Sequence, residues 1–256
     1  MAGSLTYIYC VVASSTPPRL GRTAGLPRAS RARLLEGERG LYLAVADVPA
    51  REYGEAAINR RLSDLGWVSG VAVAHEAVVE SFAGATAILP MKLFTIFATD
   101  DRALAYARAN RARIRAAITR VADHDEFGVR LVLDRRRAAA AVRTRRTAGR
   151  AGGTAYLARK KAQRDAALEL ADRAREIVAT VYERLASRAK YARRRGATEL
   201  PVREGPLLLD AAFLVRRSKA RAFRALAARE ARSLARSGYG LMLTGPWPPY
   251  TFVREA

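Results

Sequence analysis

The sequence predicts an α+β protein built as two domains, and three observations predict it. Runs rich in β-branched and aromatic residues alternate with stretches of helical periodicity along most of the 256 residues. Residues 135–153, "RRRAAAAVRTRRTAGRAGG", hold few large apolar side chains and separate two such series. Each series has its own order: β-β-α-α-β-α-β before the break, and α-β-β-α-β, resembling a ferredoxin-like half, after it. The expected limits are 1–137 for an N-terminal α+β domain, 138–152 for a basic linker, 153–245 for the C-terminal domain and 246–256 for a tail.

Taken in order, "LTYIYCVVA" (5–13) reads as a strand because its β-branched and aromatic residues suit a pleated, buried surface. The loop that follows carries Pro17, Pro18 and Pro27 with Gly21 and Gly25. Residues 40–49 form a second strand stopped by Pro49, and 52–65 are helix-permissive. Residues 68–84 predict a second helix with Val71, Ala74, Val78 and Phe82 near one face. "TAILPMKLFTIFAT" (86–99) reads as one strand with an internal proline, hence an edge position or a bulge at Pro90. Asp100 and Asp101 cap one long helix on which Leu104, Ala107, Ile114, Ile118 and Val121 recur at helical spacing. "FGVRLVLD" (127–134) closes the first domain as a strand.

Beyond the linker a helix is expected over 154–188, with Leu170, Ala174, Ile177, Val181 and Leu185 as its apolar stripe. Two heptads suit either a coiled coil or docking on a sheet, and the sequence leaves both open. A charged strand (192–200), an apolar strand (205–215), a helix bearing Phe223, Leu226, Ala227, Ala231 and Leu234, and a last strand (238–245) complete the domain.

Half of the residues are hydrophobic, which excludes a disordered polyelectrolyte, and no run of 18 apolar residues exists to span a membrane. The apolar run at 5–13 lacks the positive flank of a signal peptide, so a cytoplasmic protein is expected. Cys10 is the only cysteine, which excludes an internal disulfide and a cysteine-based zinc site. The net charge of +22 is uneven, at +3 for residues 1–127 and +19 for residues 128–256. Such an excess attracts polyanions or merely decorates solvated helix faces.

Catalytic chemistry finds no footing. His75 lacks the second histidine of H-E-x-x-H, since Val79 stands at that position, and His124 reads as part of a helix-to-strand turn. There is no G-x-S-x-G and no P-loop. Arg135–Arg137, Arg145–Arg146 and Arg193–Arg195 are the densest basic clusters for phosphate contact. The strands, however, lack the aromatic pattern of an RNA-binding sheet.

Three prolines and three aromatics crowd "GPWPPYTFV" (245–253). Left free, Trp247, Tyr250 and Phe252 would make an adhesive end, so the tail is expected to dock on its own chain.

"HEAVVESFAGATAILPMKLFTIFATDD" (75–101), "GTAYLARKK" (153–161), "LLLDAAFLVRR" (207–217) and "GLMLTGPWPPYTFV" (240–253) occur in an order that resembles the gas vesicle protein F/L family. The likeness spans nearly the whole chain, and the Pro90-Met91-Lys92 block and the proline-rich tail are its most specific parts. Many members carry Phe-Gly-Thr where this chain has Leu93-Phe94-Thr95, which departs from any role that needs glycine at 94.

The resemblance implies a non-enzymatic accessory or minor structural protein for building gas vesicles, the hollow protein shells that give some microbes buoyancy. It implies two α+β domains, the second ferredoxin-like with extended helices, tied by a tail in which Trp247, Pro248, Pro249, Tyr250 and Phe252 act as a structural clasp. The implied partners are the small hydrophobic shell protein and other accessory proteins. No cofactor, metal, catalytic residue or small-molecule substrate is expected, and the implied location is cytoplasmic and vesicle-associated. The rival reading is a basic nucleic-acid-binding module driven by the charge of the second half.

Overall fold

The computed structural model describes residues 3–134, 155–196 and 206–253. The chain forms two compact units, residues 1–125 with 247–256, and residues 126–246. Helices and antiparallel sheets are mixed in both, as the α+β class requires.

The first unit is organised by β1 (Ser4–Ala13), β2 (Arg33–Glu36) and β3 (Leu41–Pro49), followed by β4 (Ala87–Pro90) and β5 (Ile96–Phe97). The sheet order is β2-β3-β1-β4, with β5 also paired to β1. β1 is antiparallel to β3 from Ser4↔Pro49 to Ala13↔Leu41, with an irregularity between Ile8 and Cys10. β2 was not expected from the sequence; four half-exposed residues carry too little alternation to announce a strand. Edge pairing with β3 creates it.

Three expected elements of this unit are broken in two. The stretch 52–65 becomes α1 (Ala50–Tyr53) and α2 (Glu55–Arg61), because Gly54 turns extended and gives its N–H to the Ala50 carbonyl. A Cβ at Gly54 would stand 2.6 Å from that oxygen. The single strand expected over 86–99 ends at Pro90, turns through 92–95 and resumes as β5. Both pieces pair with β1, so Pro90 terminates an edge strand rather than bulging within one. The helix expected from Asp100 is α4 (Asp100–Ala109) and α5 (Arg111–Val121), divided at Asn110. Its cap is Thr99, whose side chain accepts from Arg102 N; Asp100 and Asp101 occupy the first turn. The buried positions are Ala103, Ala117 and Val121, whereas Leu104, Ala107, Ile114 and Ile118 are only half-buried.

α3 (Leu65–Glu80) begins earlier than expected, because Asp64 accepts from Trp67 N and caps it. It lays Val71, His75, Val78 and Val79 on the sheet. The core gathers Tyr7, Tyr9, Val12, Ala44, Val48 and Phe82 around them. Tyr hydroxyls in such a core need partners. Tyr9 accepts from Leu26 N at 3.1 Å, and Tyr53 donates to the Pro27 carbonyl at 2.9 Å, which pins the long loop.

The second unit runs β6 (His124–Leu133), α6 (Ala155–Ala186), β7 (Tyr191–Arg194), β8 (Leu207–Arg216), α7 (Ala220–Ala235) and β9 (Tyr239–Trp247). β6, expected to close the first domain, lies instead inside the second sheet, whose order is β7-β8-β6-β9. The element order is therefore β-α-β-β-α-β, the ferredoxin-like sequence of elements, with the first strand supplied by the segment before the linker. The expected linker at 138–152 lies outside the described residues.

α6 docks in the core of this unit. Ala174, Val181 and Leu185 are buried and Leu170 and Ile177 pack beside them, against Phe127, Phe213 and Phe223. On α7, Phe223, Ala227 and Leu234 form the inward stripe. Below the sheet, Arg195 reaches Asp210 at 2.6 Å and Glu126 at 3.8 Å, and Arg130 reaches Asp210 at 3.4 Å. Two nearly buried carboxylates are thus matched by guanidinium groups, as burial of charge demands.

Candidate functional site

The residues singled out in the N-terminal block meet the tail in the first unit. β4 presents Leu89 and Pro90, and the following turn presents Met91, Lys92 and Thr95. α4 and α5 supply Tyr106, Asn110, Arg113, Ile114 and Ala117, and the tail helix α8 (Tyr250–Val253) supplies Val253. Together they line a groove of about 320 Å³. Its floor is apolar, with Val11, Leu89, Pro90 and Ala117 buried, and its rim carries Lys92 and Arg113 exposed. No histidine, cysteine or carboxylate lines it. It can hold an apolar side chain and attract an anionic group.

Local chemistry sets the walls. Met91 N donates to the Tyr9 carbonyl at 2.9 Å, which continues the β4–β1 ladder one residue past the proline. The Thr95 hydroxyl donates to the Lys92 carbonyl at 2.7 Å and closes the turn. Phe94, inside that turn, has φ 64° and stacks on Trp67 with ring centroids 5.4 Å apart.

The tail is placed unevenly. Pro248, Pro249 and Phe252 are buried, Tyr250 is half-buried, and Trp247 ends β9 at 38% exposure. Tyr250 N donates to the Pro248 carbonyl and Phe252 N to the Pro249 carbonyl, which starts α8. Arg120 of α5 donates to the Phe252 carbonyl at 3.3 Å. Sequence reasoning missed Tyr106, Asn110, Arg113 and Ile114 as groove residues; the break at Asn110 was the available signal, since asparagine commonly leaves a helix.

Neither histidine belongs to the groove lining. His75 is 3% exposed, and its Nδ1 is hydrogen-bonded to the Tyr7 hydroxyl at 2.8 Å. Burial holds its pKa down at about 4, so the ring is neutral. His124 opens β6 with its ring against the Ala122 carbonyl. Burial pushes the Cys10 thiol up and leaves it unreactive. Hydrogen bonds from Arg33 and Thr6 hold the Asp100 carboxyl below its ordinary range.

Among the described residues, no group of three or more histidine, cysteine or acidic side chains is arranged to hold a metal ion. No helix there is long and apolar enough to cross a membrane. Of the basic clusters, 135–137 and 145–146 lie outside the described residues. Arg195 is committed to Asp210, and Arg194 lies 4.5 Å from the Tyr182 ring centroid.

Comparison with known proteins extends over nearly the whole chain. The family model for gas vesicle synthesis protein GvpL/GvpF matches residues 5–254. Gas vesicle protein L of Streptomyces sp. (strain CB03234) is 30% identical over 214 residues, covering 80% of this chain and 77% of that protein. The crystal structure of gas vesicle protein GvpF from Anabaena sp. PCC7120 superposes with a TM-score of 0.66 at 16% identity, over 98% of this chain and 96% of that one. GvpF from Microcystis aeruginosa gives 0.66 at 14% identity, over 97% and 98%. At these identities the two structures establish the shared fold.

Proposed function

The chain belongs to the gas vesicle synthesis protein GvpL/GvpF family, and from that premise we propose that it is a non-catalytic accessory or minor structural protein that binds the small apolar shell protein. The family places the chain in gas vesicle assembly. The binding step, its partners and a cytoplasmic site of action are our reading.

The observation that supports this reading is the convergence in one groove of two segments distant in sequence, the Pro90-Met91-Lys92 block and the end of the tail. The groove offers apolar contact under a basic rim, and no histidine, cysteine or carboxylate lines it. A subunit of a hydrophobic shell exposes apolar surface before it polymerises, and covering that surface prevents aggregation. Other accessory proteins would bind the same complex through faces that the groove leaves free.

A pull-down of the purified protein with co-expressed shell subunit, nuclease-treated and run at low and high salt, tests it. Capture surviving both salts, and lost when Ile114→Glu and Met91→Asp are introduced into the groove, is the expected result. Apolar association persists in salt, whereas phosphate contacts weaken steeply. Capture abolished by nuclease would put the basic nucleic-acid module in place of this reading.

A further inference from the structure

In the second unit, the outer face of α7 carries charge of one sign. Residues 216–236, the helix with its flanks, hold eight basic side chains and one acidic, Glu230. That carboxylate is turned inward: it is 8% exposed and accepts from Arg184 at 3.2 Å. At 100° per residue, Arg221, Arg229, Arg232 and Arg236 fall within an arc of about 80°, opposite the buried Phe223, Ala227 and Leu234. All four are exposed, and among the described residues none has an acidic partner. Arg224, at the margin of this arc, lies over the Phe127 ring.

The row works against the helix that bears it. Arg229 and Arg232, and Arg232 and Arg236, stand one turn apart, where like charges repel. Arg221 occupies a first turn that holds no acid, so the helix dipole opposes it as well. A general surplus of arginine does not account for the pattern. The neighbouring α6 exposes Asp165, Glu169, Asp172 and Glu176 among its basic residues, and its Arg175 meets Asp172. On α5, Arg111 and Arg115 meet Glu38 at 3.0 and 2.7 Å.

The residues between the arginines narrow the occupant. On the exposed face they are alanine and serine alone, with Ala225 and Ala228 at its centre. No exposed aromatic stands there to stack a base, and no exposed large apolar side chain to enter a bilayer. Alanine has no group to read a base edge, but it lets a second helix approach to an axial distance of about 8 Å. Guanidinium groups take carboxylates through paired hydrogen bonds. The row runs straight for about 22 Å, fifteen residues at the helical rise. A second helix laid alongside meets it over its whole length, whereas a duplex backbone curves away after a few phosphates.

We propose that this face docks an acidic α-helical segment of a partner protein, laid along α7 with carboxylates spaced to meet Arg221, Arg229, Arg232 and Arg236. The face belongs to the second unit and is independent of the groove in the first.

The test is fluorescence anisotropy of the full chain, nuclease-treated, with a labelled alanine-based helical peptide. The peptide carries glutamates at the four matching positions, and salt is held at about 0.15 M so that diffuse attraction is screened. Binding in the micromolar range is expected, and its loss when the glutamates are replaced by glutamine. Arg229→Glu with Arg232→Glu should weaken it at least about tenfold without lowering the melting temperature, since both side chains are exposed. Arg164→Glu with Arg188→Glu, an equal change of net charge in and just beyond α6, should weaken it less than about twofold. Equal losses from the two pairs would mean that net charge alone attracts the peptide, and would overturn the proposal. So would a wild-type chain that does not bind, or equal affinity for a peptide of the same charge whose helix is broken by proline. Tighter binding of a DNA duplex or of vesicles containing anionic lipid, lost in the same α7 variant, would give the face to phosphate and overturn it too.

Discussion

Phe94 occupies a conformation that glycine adopts freely. At φ 64° its Cβ meets a penalty of about 1 kcal/mol or more. The ring stacked on Trp67 offsets the strain. In urea unfolding, Phe94→Ala should fall roughly 2 kcal/mol below wild type through lost burial. Phe94→Gly should lie about 1 kcal/mol above the alanine variant, because it loses the ring but also the strain. Equal stability of the two variants would contradict this account. His75 carries a second residue-scale prediction. The unfolded chain takes up its proton from about pH 6.5 downward, the folded chain only near pH 4, so stability must fall as pH falls between those values. At roughly 1.4 kcal/mol per pH unit the loss approaches about 3 kcal/mol. The slope of unfolding free energy against pH should flatten in His75→Gln; an unchanged slope would assign it to other groups. Asp100 acts lower on the scale, since its carboxyl is held below the ordinary range and its contribution disappears only as pH falls through that lowered value.

At the scale of elements, periodicity identified the helices and strands that bury a full stripe. The stripe Leu170, Ala174, Ile177, Val181 and Leu185 was legible because each member faces one core. The divisions at Gly54, Pro90 and Asn110 were not, because each depends on a contact or pairing beyond the run itself. β2 exists through its ladder to β3 alone. Gly128 on β6 makes such a dependence measurable. A Cβ there would stand 2.6 Å from Thr244 Oγ1 and 3.1 Å from the Arg195 guanidinium. Displacing Arg195 disturbs the group that matches Asp210 and Glu126. Gly128→Ala should cost roughly 1–3 kcal/mol in chemical denaturation. Adding Thr244→Ala should recover most of it; no recovery would place the cost on Arg195 instead.

At the scale of the whole molecule, the chain leaves the first unit after Asp125 and returns to it at Trp247. The returning segment seats Phe252 beside α5 and β4, and its end lines the groove. We propose that this tail is the clasp of the protein, with Pro248, Pro249 and Phe252 as its buried part and Trp247 standing outside it. Truncation after Gly245 should lower the melting temperature by roughly 5 °C or more, since loss of a buried phenylalanine alone costs about 3 kcal/mol. It should also expose the first unit to protease, and a truncated chain that melts and digests like wild type would end the clasp reading.

The sequence by itself determined the α+β class, the second unit's helices and the resemblance that the comparisons bear out. These rest on local period, composition and motif, which a chain carries before it folds. Which unit owns β6, where the long runs break, and that Pro90, Met91 and Lys92 share a groove with Val253 were decided only by the tertiary structure. The physical reason is that strand partners and groove walls come from segments far apart in sequence. Their positions depend on hydrogen-bond ladders and contacts that no local window contains.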